Sequence, residues 1–158
     1  MENTTMGAWG TGIFDNDDAL DWVLGWEEAD EGEGTADEPG RISFVIGAMA
    51  VAVEHKGYLD VDAGGCALAA AEVVAAACGK PGAGMKPAPG ADGSLVKLAA
   101  WARGAGAKVL NDPDVRALAR QAVDRATGPE SEIAELWDES EDAVAWRAVA
   151  DDLRKRLG

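Results

Sequence analysis

The sequence predicts an all-α protein: an irregular bundle of six or seven helices, with an N-terminal Gly/Trp-rich leader packed on the core. Three observations lead there. Apolar residues recur at helical spacing, as in Ile42, Ile46, Met49 and Val53, and again in Trp146, Val149, Ala150, Leu153 and Leu157. Helix start signals punctuate these runs; the clearest is Asn111-Asp112-Pro113, with Asp112 as N-cap and Pro113 at the first helical position. No convincing run of alternating strands and no repeat period is present. A chain of 158 residues that is 47% hydrophobic is one ordinary domain with enough apolar content for a core.

The elements follow in order. The first helix is expected from about Asn16 to Ala29, capped by Asp15 or Asn16, with Leu20, Val23 and Leu24 on one stripe and Trp22 and Trp26 on a neighbouring face. Residues 30–40 form an acidic, glycine-rich loop. The second helix runs from about Arg41 to His55 and is apolar almost all round, which predicts the buried central rod. Its β-branched content leaves a strand open over Ile42 to Ile46, although length favours the helix. His55, the single histidine, sits where an imidazolium suits the end of that helix. Tyr58 to Gly65 reads as a turn-rich connection, and an alanine-rich third helix spans about Gly65 to Cys78. Residues 79–93, with three prolines and five glycines, are a loop. A fourth helix, capped by Ser94, reaches about Arg103 and restarts through Val109-Leu110. The fifth runs from Pro113 to about Ala126. Thr127-Gly128-Pro129-Glu130 resembles a capping box opening a short sixth helix with Ile133, Leu136 and Trp137. Ser140 opens the seventh, whose Arg154, Lys155 and Arg156 complement its C-terminal dipole.

The most unusual stretch lies near the start. Gly7, Gly10 and Gly12 allow sharp turns around Trp9; Ile13 and Phe14 are apolar enough to plug the core; Asp15, Asn16, Asp17 and Asp18 then open the first helix. Met6-Gly7-Ala8-Trp9-Gly10-Thr11-Gly12, followed by Phe14-Asp15-Asn16-Asp17-Asp18-Ala19 and Trp22, resembles the opening of a bacterial family of unknown function, number 4259 in the domain-of-unknown-function series. Tyr58-Leu59, the run Ala67 to Ala77 around Glu72, Ser131-Glu132-Ile133 with Leu136-Trp137, and Trp146 to Leu157 fit the same family. The resemblance implies a start at Met6, making residues 1–5 an extension and 6–158 a single helical domain, and it brings no activity with it.

Charge and motif content exclude several function classes. A net charge of −15 opposes nonspecific nucleic-acid binding and anionic membrane surfaces, and favours a basic protein partner or cations. No signal peptide is visible, and the longest apolar runs, Ile42 to Val53 and Ala67 to Cys78, fall short of the roughly 20 residues a bilayer needs. Cys66 and Cys78, 12 residues apart, would stand roughly 18 Å apart on one helix, too far to bridge. A reduced, cytoplasmic protein follows. One histidine rules out a His-rich zinc site. A phosphate-binding loop around Gly79-Lys80 would need glycine at Val74 and Ser or Thr at Pro81, and each Gly-x-Gly lacks the third glycine of a dinucleotide fingerprint.

The candidate binding residues are Trp9, Asp15, Asp17, Asp18, Asp21 and Glu72. The four aspartates either converge on a cation or basic partner, or cap the first helix in solvent. An EF-hand reading fails, since Leu20 and Trp26 stand where glycine and glutamate are required. Glu72, alone among alanines and valines, is either a ligand or general base with a raised pKa, or one half of a salt bridge. No nucleophile–base pair is visible, so catalysis is not the expectation. The leading expectation is an acidic protein-binding module with a basic partner, for which an immunity- or antitoxin-like role is suggested by class analogy. The alternatives are a metal-dependent enzyme or metal-binding protein, with Mg²⁺, Ca²⁺ or Mn²⁺ held by the Asp15–Asp21 cluster and Glu72, and a structural subunit of a homo-oligomer.

Overall fold

The longest helix of the protein is also the one with the smallest side chains. A computed structural model describes residues 10–29, 40–86 and 93–158. In chain order these form α1 (Asp17–Glu28), α2 (Arg41–Glu54), α3 (Val61–Ala77), a 3₁₀ turn at Ala83–Met85, α4 (Ser94–Arg103), α5 (Ala107–Leu110), α6 (Pro113–Thr127), α7 (Glu132–Asp138) and α8 (Ala143–Arg156). The described residues contain no β-strand, and the expected all-α class holds. Trp9 and residues 1–5 lie outside the described residues, as do 30–39 of the acidic loop and 87–92 of the proline-rich loop.

The central element is α3, not the expected α2. From Gly64 to Ala77 every α3 residue except Cys66 is buried, and α1, α2, α4, α5, α6, α7 and α8 all pack against it. Alanine explains this: a side chain of one carbon lets neighbouring backbones approach on every side while the helix keeps high intrinsic propensity. In α2, by contrast, only Val45, Met49 and Ala52 are buried, and Val51 is 60% exposed. Its uniform hydropathy overstates its burial: one face packs on α3 and α6, Phe44 stacks on Trp22 of α1 at 5.4 Å, and the remaining side stays partly or fully exposed. The helix is nonetheless continuous over 41–54, so the strand alternative at 42–46 falls.

Side-chain caps start three of the described helices, α1, α3 and α6. Asn16 caps α1 by accepting from Ala19 N at 2.8 Å, and Asp112 caps α6 by accepting from Asp114 N and Val115 N, with Pro113 at the first position. Asp60 caps α3 by accepting from Ala63 N at 2.8 Å, which starts α3 four residues earlier than the turn reading of Tyr58 to Gly65 allowed. The glycines there serve contact rather than turning: a Cβ on Gly64 would lie 2.8 Å from Ile133 Cγ2.

Three expected caps differ. Ser94 is the first residue of α4, not its cap, and its hydroxyl donates to Glu27 Oε1 on α1. Thr127 ends α6, its hydroxyl donating to Val123 O at 2.8 Å, so the cap of α7 moves to Ser131. Ser140 closes α7 by donating to Trp137 O, and α8 begins only after Asp142.

Long-range backbone pairing fastens α3 to α7. Leu59 N donates to Glu130 O and Glu132 N donates to Leu59 O, both at 2.8 Å, forming an isolated parallel bridge between Leu59 and Ser131. Glu132 also accepts from Val61 N at 2.8 Å. Aromatic pairs fill the seams: Trp26 meets Trp101 edge-on at 5.4 Å and Trp137 stacks on Trp146 at 6.0 Å. Trp22, Trp26, Trp137 and Trp146 are buried. No described helix is long and apolar enough to cross a membrane.

Two glycine substitutions should separate contact from conformation. Gly64→Ala forces Ile133 aside in a packed seam and should cost about 1–3 kcal/mol. A Cβ on Gly47, inside α2, meets nothing within 4 Å, so Gly47→Ala should gain about 0.5–1 kcal/mol. Urea denaturation of the two variants reads both signs.

Candidate functional site

The Gly10–Asp15 segment folds into a tight turn before α1. Asp15 N donates to Gly12 O and Gly12 N donates to Asp15 Oδ2, each at 3.0 Å. The carboxylate lies so close to the glycine backbone that a Cβ on Gly12 would sit 2.6 Å from Asp15 Oδ2. The same turn drives Ile13 and Phe14 into the core, where they are 6% and 5% exposed.

This turn forms one wall of a cleft of about 530 Å³. Ala83 and Gly84 of the 3₁₀ turn form a second wall, and Ala148, Val149 and Asp152 of α8 a third, with Glu72 of α3 and Arg156 of α8 at its base. Backbone packing here is close: a Cβ on Gly84 would meet Phe14 Cδ2 at 2.9 Å, and one on Gly82 would meet Glu72 Oε2 at 2.7 Å.

Glu72 is 4% exposed, and Arg156 satisfies both of its oxygens, Nη1 to Oε1 at 3.0 Å and Nη2 to Oε2 at 2.8 Å. Arg156 Nη1 also donates to Lys80 O at 3.1 Å, and Nε donates to Asp152 Oδ2 at 2.7 Å. The planar guanidinium suits this fork, and the bidentate bond to Glu72 holds it charged to even higher pH than a free arginine. The salt-bridge reading of Glu72 is therefore the geometry found. Within the cleft three carboxylates, Asp15, Glu72 and Asp152, face one arginine.

The remaining sequence-predicted aspartates lie elsewhere. Asp17, Asp18 and Asp21 gather with Asp60 and Asp62, where the N-termini of α1 and α3 come together. The Asp18 carboxyl is pushed above its ordinary value, first by burial and then by the charges of Asp62, Asp21, Asp17 and Asp60. Nearby, Cys66 donates to Asp62 Oδ1 at 3.7 Å, and burial together with that carboxylate pushes its thiol up to about 12. Among the described residues no group of three or more His, Cys, Asp or Glu side chains could hold a metal ion. His55 ends α2, with its Nε2 3.0 Å from Tyr58 O, in keeping with its expected place at the helix end.

Sequence reasoning missed Asp60, Asp62 and Asp152, and read Arg156 only as a helix-end cation. The i,i+4 spacing of Asp152 and Arg156 was the available signal for their pairing. Nothing local pointed to Glu72, 84 residues away from Arg156.

Helical architecture with a mixed-charge cleft defines a class, a small acidic α-helical domain, rather than an activity. Residues 7–149 match the family described as Domain of unknown function (DUF4259), and the chain belongs to that family. No curated protein and no solved structure matches the chain.

Two outcomes follow from these charges. Glu72→Ala removes the bidentate partner of an arginine whose side chain is 16% exposed and leaves it only Asp152 and Lys80 O; it should cost about 1–3 kcal/mol in chemical denaturation, whereas the double variant Glu72→Met with Arg156→Leu should recover most of it. Asp18→Asn should raise stability at neutral pH. A carboxyl with a raised native pKa binds protons more readily when folded, so its penalty is fully present above that pKa and fades as pH falls toward 3.8, its ordinary value. Denaturation midpoints of the wild type and Asp18→Asn should therefore converge in acid.

Proposed function

We propose that this protein is a bacterial, cytoplasmic protein-binding module whose partner is a basic protein, with no catalytic role of its own. One observation carries the reading. Asp17, Asp18, Asp21, Asp60 and Asp62 share one surface, and none takes part in an ion pair among the described residues. Like charges held together at a cost to Asp18 are relieved by an opposing positive surface, and two helix N-termini alone offset only part of that repulsion. A net charge of −15 adds long-range attraction for the same kind of partner. An immunity- or antitoxin-like role fits such a module by class analogy. The cysteines are both free, as a reducing compartment requires.

The test is retention of proteins from a native bacterial lysate on the immobilised full chain across a salt series. A small set of basic proteins should be held at physiological salt and released as salt rises. The triple variant Asp17→Asn, Asp18→Asn, Asp21→Asn should hold them at least tenfold more weakly, about 1.4 kcal/mol in binding free energy. Recovery of no specific protein at either low or physiological salt overturns the reading.

A further inference from the structure

We propose that the cleft between the Gly12–Asp15 turn and α8 docks a lysine side chain of the basic partner, together with the apolar residue beside it. The inference rests on the basic-partner reading and deepens it, because it moves recognition from a charged surface into a shaped site.

Arg156 spends its guanidinium on Glu72, Asp152 and Lys80 O, so it has little left to offer an anion. The second oxygens of Asp15 and Asp152 have no partner among the described residues. What the cleft presents is therefore acceptors, with two more negative charges than positive. Phosphates, carboxylates and nucleotides are disfavoured by sign. A cationic donor is favoured, and the two acceptors sit on separate elements rather than side by side on one carboxylate. That arrangement suits the rotatable donors of an ammonium group better than the fixed fork of a guanidinium.

The walls select the rest of the ligand. Between the carboxylates lie Ile13, Phe14, Ala83 and Val149, an apolar lining along which an aliphatic stem can pack while its charge reaches Asp15 and Asp152. A volume of about 530 Å³ exceeds one lysine side chain and leaves room for an apolar neighbour. The floor is rigid, since Arg156 is locked by four hydrogen bonds to Glu72, Asp152 and Lys80, so little ordering is needed on binding.

The probe is an N-acetylated, amidated heptapeptide alternating leucine and lysine, titrated into the isotopically labelled full chain and followed by amide NMR. Shifts should concentrate at Gly12, Gly84 and Ala148, and acetylating the peptide's lysines should weaken binding at least tenfold. Asp152→Asn should weaken it about tenfold, while Asp151→Asn, an equal change of charge one residue away and outside the cleft lining, should alter it less than twofold. The asparagine oxygen still accepts from Arg156 Nε, and an unchanged urea midpoint verifies that the variant is folded. Equal weakening by the two variants, undiminished binding of the acetylated peptide, or shifts lying outside the cleft each overturn the proposal. If basic proteins are still retained on the column in that event, the module reading survives and only the cleft is lost as its docking point.

Discussion

The closeness with which helices approach α3 is the constraint on which the rest of the structure depends. Seven helices share its surface, and only a nearly continuous run of alanine, glycine and valine lets them do so without prying one another apart. That run fixes where the large residues go. Tryptophans stand in the outer seams, pairing with one another at 5.4 Å and 6.0 Å, instead of filling the centre. The single charge admitted to this packed rod, Glu72, is accordingly met by the one cation able to satisfy both its oxygens at once.

The same pair also shapes the cleft. A buried ion pair is a weak source of stability, because desolvating both groups offsets much of their attraction. Its effect here is geometric. It draws α8 against α3 and anchors the loop after α3 through Lys80 O, which leaves the 3₁₀ turn, the Asp15 turn and α8 as three walls around a fixed floor. Acidic groups therefore appear in two settings with different physics. In the cleft they flank an arginine and an apolar lining; at the N-termini of α1 and α3 they face one another, and burial together with that crowding makes Asp18 resist ionisation.

Much of the helix pattern was legible from sequence, because caps are local. Asn16 before α1 and Asp112-Pro113 before α6 are signals contained in four residues, and both helices begin where those signals place them. The start of α3 was not legible: Gly64 and Gly65 look like turn residues, and what Gly64 provides, room for Ile133, is set by a helix far along the chain. Burial of α2 was overestimated for the converse reason, since hydropathy reports what a face can tolerate and not whether a neighbour exists. At the site, the need of Glu72 for a partner could be read from its surroundings, but not that the partner is Arg156. Asp15 and Asp17 are close in sequence, yet the Gly12–Asp15 turn sends Asp15 to the cleft and leaves Asp17 with Asp18, Asp21, Asp60 and Asp62.

The separation of 84 residues between Glu72 and Arg156 has a bearing on how the chain matures during synthesis. When α3 leaves the ribosome, α6, α7 and α8 have yet to be made, so its alanine surface is only partly covered and its lone carboxylate has no counter-ion. Full enclosure of α3 has to wait for α8, since an unpaired carboxylate in that apolar setting is strongly disfavoured. Nascent chains halted before α8 thus present an open, acid-bearing groove to the quality-control machinery, and the arrival of one arginine is what seals it.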